Sequence, residues 1–401
     1  MWENDIKIDE VKEIRVRNNV YFGVGAISKI GDIVKSLKEK NIDKVIVVSG
    51  RNAYKSTGAW DYVEKALNEN GVAYINYDKV LPNPTTHQVD EAVKTASEFG
   101  AKAVIAIGGG SPIDAGKSTA ILLKYPDKNC TQLYNYEFVP TDAVPVVAIN
   151  LTHGTGTEGN RVAVVTIPEK DFKPAIVYDC IYPFASIDDP ALMTKLSPEQ
   201  TLYVSIDAVN HVVEASTSKV ASPYSITLAK ETIRLVAEYL PKVIQNPSDL
   251  KARYFLSYAA LLGGVSFDNG LLHYTHALEH PLSAIKHELS HGLGLAMLLP
   301  AVLRHIFKER PDTICDIFSS VIKEPCKDAQ EFAVKIEQWL FSLGLKSKLQ
   351  DEGFSKEDIP RLVDLAYNTP SLGLLLSLVP GENTREIVTA IYEESLAPYN
   401  S

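Results

Sequence analysis

The feature that most constrains the fold is the alternation of short apolar runs and amphipathic segments through the first half of the chain. The runs KVIVV and AVIAI are nearly uninterrupted and rich in β-branched residues, which is typical of parallel strands buried on both faces. Further runs with strand character are NVYFG, VAYINYD and VPVVAIN. The segments between them, such as DYVEKALNENG and HQVDEAVKTASEFG, have helical periodicity. This alternation predicts an α/β domain with a parallel sheet.

The second half has a different pattern. From LSPEQTLYVSIDAVNHVVEAS onward the apolar residues recur with helical spacing and strand signals are few. Ser197 followed by Pro198 predicts the start of a helix, because serine caps and proline suits the first turn. We therefore expect an α/β, Rossmann-like nucleotide domain over residues 1–190 and an all-helical domain over residues 191–401. The functional site is expected in the cleft between them.

Charge and composition exclude several classes of protein. The 401 residues carry a net charge of -10 without a basic stripe, which argues against a nucleic-acid partner. The first residues, MWENDIKIDEVKEIRVRNN, are too polar for a secretory signal, and no apolar run reaches the length of a membrane span. The four cysteines form no CxxC pair, as expected of a reduced, cytoplasmic protein. These features predict a partner that is a small molecule rather than a nucleic acid or a membrane.

A glycine-rich turn in AVIAIGGGSPIDAGK follows one of the apolar runs. Gly108, Gly109 and Gly110 allow a phosphate to approach the backbone, and Ser111 can cap the helix that follows. The spacing matches neither GxGxxG nor the P-loop, and a plain tight turn is the alternative interpretation. A second such segment, NLTHGTGTEGN, follows the run VPVVAIN. Two glycine-rich loops after parallel strands predict a dinucleotide lying across the strand ends.

Histidines are concentrated in one stretch, because six of the nine lie between His273 and His305. His276 and His280 are four residues apart and share one helix face, after which Pro281 is expected to break the helix. His291 opens a second apolar run. Upstream, Asp207 and His211 repeat the four-residue spacing. A carboxylate and several imidazoles on facing helices predict a divalent-metal site. Isolated histidines such as His87 and His305 are interpreted as ordinary surface or core residues.

The segment His287-Glu288-Leu289-Ser290-His291 is a literal HExxH, the pattern of zinc proteases. Such a protease needs the motif inside one continuous helix, whereas Pro281 and Gly292 flank it here. That interpretation also leaves Asp207 without a role. A zinc protease is therefore the remote alternative.

Taken together, these motifs resemble those of the iron-containing (group III) alcohol dehydrogenases, and in particular of archaeal-type members. The resemblance runs from YFGVGAISKIGDIV through PNPTTHQVDEAV, GGGSPIDAGKS and NLTHGTGTE to DAVNHVVEA and HALEHPLSAIKHELSHGLGLAMLLP. It implies the two-domain, dehydroquinate-synthase-like architecture described above. It also implies four metal ligands, which are Asp207, His211, His276 and His291. Because the last two ligands are fifteen residues apart here, one more than usual, His287 is the alternative to His291.

The resemblance further implies the remaining site residues. His280 corresponds to a histidine beside the substrate that can relay the hydroxyl proton. The alternative is a purely structural role, in which it supports the metal ligands from outside. The cofactor contacts implied are the backbone of Gly108–Ser111 together with Asp114, Thr152, Thr155 and Lys173. His153 replaces a residue in the usual TTAGTGSE motif and has no assigned role.

The implied activity is metal-dependent, NAD(P)-linked interconversion of alcohols and aldehydes. Oxygen and imidazole ligands suit Fe²⁺ and also Zn²⁺, Mn²⁺ or Co²⁺. The ion would polarise the substrate oxygen as a Lewis acid, and hydride would pass between the alcohol carbon and nicotinamide C4. The alternatives are a glycerol-dehydrogenase-like polyol dehydrogenase of the same fold and a non-catalytic metal or nucleotide binder. A homo-oligomer, with a dimer as the first guess, is expected.

The end of the KVIVVS run bears on the choice of cofactor. NAD-specific sites usually place an acidic residue there to accept from the ribose 2′-hydroxyl. This chain has Gly50, which leaves room for a 2′-phosphate, and Arg51, which offers a fork of donors. The sequence therefore predicts a preference for NADP(H), with NAD(H) or dual use as the alternative.

Overall fold

The computed structural model describes residues 13–17 and 19–399. Its central feature is a six-stranded, entirely parallel sheet with the strand order β1-β8-β5-β4-β2-β3. A separate antiparallel pair is formed by β6 and β7. The strands are β1 (Val20–Phe22), β2 (Lys44–Ser49), β3 (Ala73–Tyr77), β4 (Ala103–Gly108), β5 (Val146–Asn150), β6 (Val162–Val164), β7 (Ala175–Val177) and β8 (Ala185–Asp188).

The five strands expected from the apolar runs are β1 to β5, and all five are confirmed. The sixth member of the sheet, β8, was missed because its four residues, ASID, form too short and too mixed a run to be distinguished from a loop. Yet β8 lies between β1 and β5 and completes the sheet. Its place depends on pairing with strands that are distant in sequence.

Helices cover both faces of the sheet, as parallel strands require. Two separate apolar clusters fill the layers above and below it. The predicted amphipathic segments DYVEKALNENG and HQVDEAVKTASEFG form α3 and α4. The helices of this part are α1 (Ile30–Glu39), α2 (Ala53–Ser56), α3 (Ala59–Glu69), α4 (Thr86–Phe99), α5 (Gly110–Leu122) and α6 (Cys130–Tyr134).

The second part of the chain is helical and is built around one large apolar cluster. Its first long helix starts as predicted, with the Ser197 side chain accepting from the amide of Gln200 and Pro198 in the first turn. The helices are α7 (Pro198–Thr217), α8 (Pro223–Gln245), α9 (Leu250–Gly270), α10 (Tyr274–Ile285), α11 (His291–Ile306), α12 (Pro311–Ile317), α13 (Ala329–Ser342), α14 (Ile359–Asn368), α15 (Leu372–Ser377) and α16 (Arg385–Glu394).

One local expectation for this part was wrong. Pro281 does not break the helix after His280, because α10 continues to Ile285 with the proline inside it. The residues of α10 from Tyr274 to Ala284 are all buried, so packing on every side outweighs the hydrogen bond that a proline removes.

The architecture is therefore an α/β domain with a Rossmann-like parallel sheet, followed by an all-helical region. The last strand ends at Asp188 and α7 begins at Pro198, on either side of the expected boundary at residue 190. The division into two domains stays a prediction. Among the helices described, none is long and apolar enough to span a membrane. The homodimer and the cytoplasmic location also stay predictions.

Candidate active site

Two of the predicted metal ligands lie one turn apart on α7. The Nε2 atom of His211 is 3.4 Å from Oδ1 of Asp207, as expected for residues four apart on a helix. Both side chains are buried. The ring of Phe267, on α9, stacks on His211 with the ring centroids 4.5 Å apart. This stacking fixes the orientation of the imidazole.

Two further histidines approach the same carboxylate oxygen from other helices. The Nε2 atom of His276, on α10, is 3.6 Å from Oδ1 of Asp207, and that of His291, the first residue of α11, is 3.9 Å away. Donor atoms of Asp207, His276 and His291 all lie within 4.8 Å of one another. The structure thus brings the four predicted ligands together from three helices.

This cage fits a divalent cation. Oδ1 of Asp207 and Nε2 of His276 are buried and have no hydrogen-bond partner among the described residues. Leaving such groups unpaired is costly, and a bound ion would pair both. Burial opposes ionisation of Asp207, but His211 and the other imidazoles outweigh burial and lower its pKa to about 2. One carboxylate and three imidazoles are an oxygen and nitrogen set suited to Fe²⁺ or Zn²⁺.

A buried glutamate, Glu214, orients the ring of His276 through its Nδ1 atom. Glu214 hydrogen-bonds the Nδ1 atom of His276 through one carboxylate oxygen, and its other oxygen accepts from the amide of His273 at 2.9 Å. Burial alone would lower the pKa of His276, but the carboxylates of Glu214 and Asp207 raise it to about 9. With Nδ1 hydrogen-bonded to Glu214, the Nε2 atom of His276 is directed at the cage.

A second buried glutamate, Glu279, orients the ring of His291 through its Nδ1 atom. Glu279 hydrogen-bonds the Nδ1 atom of His291 and lies 3.6 Å from the ammonium of Lys173. That ammonium also donates to the hydroxyl of Ser283 at 2.8 Å. Burial and the neighbouring Lys173 hold the pKa of His291 well below its ordinary value, so its ring is neutral, as metal ligation requires.

Glu214 and Glu279 were not among the residues predicted for the site. A signal was present, because Glu214 follows Asp207 by seven residues on α7, and Glu279 follows His276 by three residues on α10. Both therefore lie near the ligand faces of their helices. Lys173, expected at the cofactor, is buried beside Glu279 and Ser283.

His280 lies at the edge of the cage. Its Nδ1 atom is 2.7 Å from the backbone oxygen of Lys173, so Nδ1 carries the proton and Nε2 has a free lone pair. Its ring centroid is 5.7 Å from that of His291. Burial, followed by the charge of Lys173, holds the pKa of His280 well below its usual value.

The structure does not support the remote alternative, an HExxH zinc protease. Residues 286–290 form a turn between α10 and α11, so the motif is not helical. His287 and Glu288 are both exposed, and the backbone oxygen of His287 accepts from Nδ2 of Asn83 at 3.0 Å. A zinc protease needs both histidines on one helix face, which this turn does not provide. The position of His291 in the cage also favours it over His287 as the last ligand.

The two glycine-rich loops lie side by side at the carboxyl edge of the sheet. Gly108, at the end of β4, pairs in register with Asn150 at the end of β5. A Cβ atom on Gly109 would lie 2.8 Å from Cγ2 of Thr152, and one on Gly110 would lie 2.6 Å from Cγ2 of Thr155. The glycines thus allow close contact between the two loops.

Asp114, expected at the cofactor, makes contacts within the protein. Its carboxylate accepts from Thr157 Oγ1 at 2.7 Å and from the amide of Val164 at 3.0 Å, and burial raises its pKa to about 6. Lys117, which follows in the GKS sequence, is also buried and donates to oxygens of Thr157, Asn160 and Val162. These side chains hold α5 against the segment after the second loop.

Gly50 and Arg51 follow β2, on the same edge of the sheet. Arg51 is exposed. A Cβ atom on Gly50 would lie 3.3 Å from the backbone oxygen of Val80, so a larger residue there would be tightly packed.

The chain is similar to known proteins over nearly its whole length. The family model described as iron-containing alcohol dehydrogenase matches residues 17–190, and the model for the C-terminal part of that family matches residues 201–396. The long-chain primary alcohol dehydrogenase AdhA of Thermoanaerobacter ethanolicus is 56% identical over 398 residues, covering 98% of this chain and 100% of the relative. The 1,3-propanediol dehydrogenase of Citrobacter freundii is 33% identical over 361 residues, covering 88% of this chain and 91% of the relative.

Solved structures match over nearly the whole chain as well. An archaeal halo-thermophilic alcohol dehydrogenase from a Red Sea brine pool superposes with a TM-score of 0.88 at 27% identity, covering 98% of this chain and 100% of its own. The NADH-dependent butanol dehydrogenase A of Thermotoga maritima has a TM-score of 0.88 at 27% identity, covering 96% of this chain and 99% of its own.

Proposed function

Because the chain belongs to the iron-containing alcohol dehydrogenase family, we propose a role for each residue of the candidate site. The chain is an oxidoreductase that uses a metal and a nicotinamide cofactor. Asp207, His211, His276 and His291 hold one divalent ion. The observation that carries this assignment is the convergence of three imidazole Nε2 atoms within 3.9 Å of one buried carboxylate oxygen.

When bound, the ion supplies a Lewis acid and the nicotinamide supplies a hydride acceptor or donor. The protein's own contribution is orientation. Glu214 and Glu279 fix the ring positions of His276 and His291 through their Nδ1 atoms. The helices around the cage bury Asp207, His211 and His276, whereas His291 is partly exposed.

His280 is proposed to relay the hydroxyl proton of the alcohol to solvent without retaining it, since burial and the charge of Lys173 disfavour its protonated form. Its Nδ1 proton is committed to the backbone oxygen of Lys173, so Nε2 is the basic atom. In the reverse direction the same atom returns the proton to the alcohol. Replacing His280 with alanine is expected to lower kcat and alter its pH dependence while the protein retains its metal.

The loops after β4 and β5 are proposed to hold the cofactor. The amides of Gly108–Ser111 at the start of α5 suit the pyrophosphate, with Thr152 and Thr155 beside them. Asp114 is proposed to support these loops through Thr157, and Lys173 to close the site on the helical side. Gly50 and Arg51 are proposed to favour NADP(H), since no carboxylate follows β2 directly.

The substrate class is proposed to be primary alcohols of several carbons and the matching aldehydes. The support is the 56% identity, over nearly all of both chains, to a relative named as a long-chain primary alcohol dehydrogenase. Short diols are the competing candidate, because a 1,3-propanediol dehydrogenase is also similar, at 33% identity.

A steady-state assay decides between the two substrate classes. Absorbance at 340 nm is followed with the iron-loaded enzyme, NADP⁺ or NAD⁺, and a panel of 1-butanol, 1-hexanol, 1-octanol, 1,3-propanediol and glycerol. We expect kcat/KM to rise with chain length among the monohydric alcohols. Higher kcat/KM for 1,3-propanediol or glycerol than for every 1-alcohol would contradict the proposal and favour a polyol dehydrogenase.

A further inference from the structure

A buried arginine lies beside the second glycine-rich loop. The side chain of Arg253, on α9, is fully buried. No carboxylate among the described residues pairs with it, and its Nη2 atom has no hydrogen-bond partner there. Burying a cation without a counter-ion is costly, so this arginine calls for a role beyond packing.

The contacts of Arg253 determine which ring nitrogen of His153 carries the proton. Its Nη1 atom donates to Nε2 of His153 at 2.7 Å and to Oγ1 of Thr201 at 2.9 Å, and its Nε atom donates to the backbone oxygen of Pro247 at 3.1 Å. Since a guanidinium can only donate, Nε2 of His153 is the acceptor and its proton is on Nδ1. That Nδ1 atom lies 3.3 Å from the hydroxyl of Ser205.

These contacts connect the second loop to the helix that carries the metal ligands. Ser205 precedes Asp207 by two residues on α7. The next loop residue, Gly154, packs so closely on α7 that a Cβ atom there would lie 2.6 Å from Cβ of Val204. On its other side the loop presses Thr152 and Thr155 against the glycines of the first loop. The loop is thus held between the proposed cofactor site and the proposed metal site.

We propose that Arg253 is a positioning residue for hydride transfer, which acts through His153 to fix residues 151–157 against α7. The chain Arg253–His153–Ser205 then sets the separation between the nicotinamide and the metal-liganding Asp207. This inference rests on the proposed function. Its physical basis is that hydride transfer requires the reacting atoms to be close and aligned, and a displacement of about 1 Å costs on the order of 100-fold in rate.

The first test replaces Arg253 with methionine, which keeps much of the volume and removes the donors. Arg234→Met is the matched control, because Arg234 is an exposed arginine of α8. We expect Arg253→Met to retain its metal, to lose about 10-fold to 100-fold in kcat, and to weaken cofactor binding measured by fluorescence. Amide hydrogen exchange of residues 151–157, measured without cofactor, should become faster only in the Arg253 variant.

His153 provides the second test, which is needed if Arg253→Met does not fold. His153→Gln keeps an acceptor for Arg253 and should retain most of kcat. His153→Leu removes the acceptor and should lose most of kcat. Normal kcat and normal amide exchange of residues 151–157 in a folded, metal-loaded His153→Leu or Arg253→Met variant would overturn the proposal. The same holds if these variants differ from the wild type only in a lower Tm. If the wild type binds no cofactor, the proposed function fails, and the loop exchange still tests whether Arg253 fixes the loop.

Discussion

Oδ1 of Asp207 lies 3.6 Å from Nε2 of His276, and neither atom has a hydrogen-bond partner among the residues that the structure describes. The two residues are on different helices, and both are buried. Two buried polar atoms that face each other without a hydrogen-bond partner are the arrangement expected of metal ligands.

The first prediction is that Asp207→Ala loses the metal and nearly all activity. The carboxylate is the group shared by all three histidines, so its removal leaves the ion with imidazoles alone. Metal content is measured by plasma mass spectrometry, and folding by circular dichroism. His287→Ala is the matched control, because His287 is exposed on the turn before α11, and it should keep its metal. Full metal content with normal turnover in Asp207→Ala would show that the ligand assignment is wrong.

The second prediction concerns pH. The pKa of His276 is raised to about 9, so near neutral pH an incoming ion must displace a proton from this residue. Raising the pH toward that pKa removes the competing proton, so metal affinity should increase about tenfold per pH unit between about pH 6 and about pH 8. Calorimetric titrations in buffers of different ionisation enthalpy measure the number of protons released.

Glu214→Gln provides the companion variant for the pH experiment. Removing the negative charge of Glu214 lowers the pKa of His276 and reduces the proton release. Loss of the partner that orients the ring should also weaken metal binding about 10-fold to 100-fold. Glu231→Gln, a change at a partly exposed glutamate of α8, is the control. Unchanged proton release in Glu214→Gln would contradict the proposed role of Glu214.

The third prediction distinguishes two roles of Gly110, which are to let the pyrophosphate approach and to let the two loops pack closely. Gly110→Ala is expected to weaken cofactor binding more than about tenfold, because a side chain would obstruct the pyrophosphate. The same methyl group would also collide with Cγ2 of Thr155, at 2.6 Å. Thr155→Ser removes that methyl group and keeps the hydroxyl. If Gly110→Ala/Thr155→Ser regains wild-type affinity, the glycine serves only the packing of the loops and the phosphate site is wrong.

The fourth prediction is a preference for NADP(H) that depends on two residues after β2. Gly50→Asp should shift the ratio of kcat/KM toward NADH, because a carboxylate repels the 2′-phosphate and accepts from the 2′-hydroxyl. Gly50→Ala is the matched control, because it adds a Cβ atom near the backbone oxygen of Val80 without adding a charge. It should leave the ratio of kcat/KM for the two cofactors unchanged. Arg51→Ala should weaken NADPH selectively. A clear preference of the wild type for NADH would reject the assignment.

Much of the fold and of the candidate site was predictable from the sequence, because the relevant patterns are local. The five apolar runs predict β1 to β5 by composition and length alone. The pair of Asp207 and His211 is set by helix periodicity, which places residues four apart on one face. Glycines directly after two buried strands predict loops at one edge of the sheet, because all strands of a parallel sheet end there.

Only the tertiary structure decided which distant groups meet. The short strand β8 is part of the sheet because β1 and β5 flank it, and HExxH is a turn because α11 begins at its last histidine. His153 and Arg253 are separated by 100 residues and form a buried hydrogen bond. Local spacing determines which face of a helix or strand a side chain occupies, whereas the packing of whole elements determines what that face contacts.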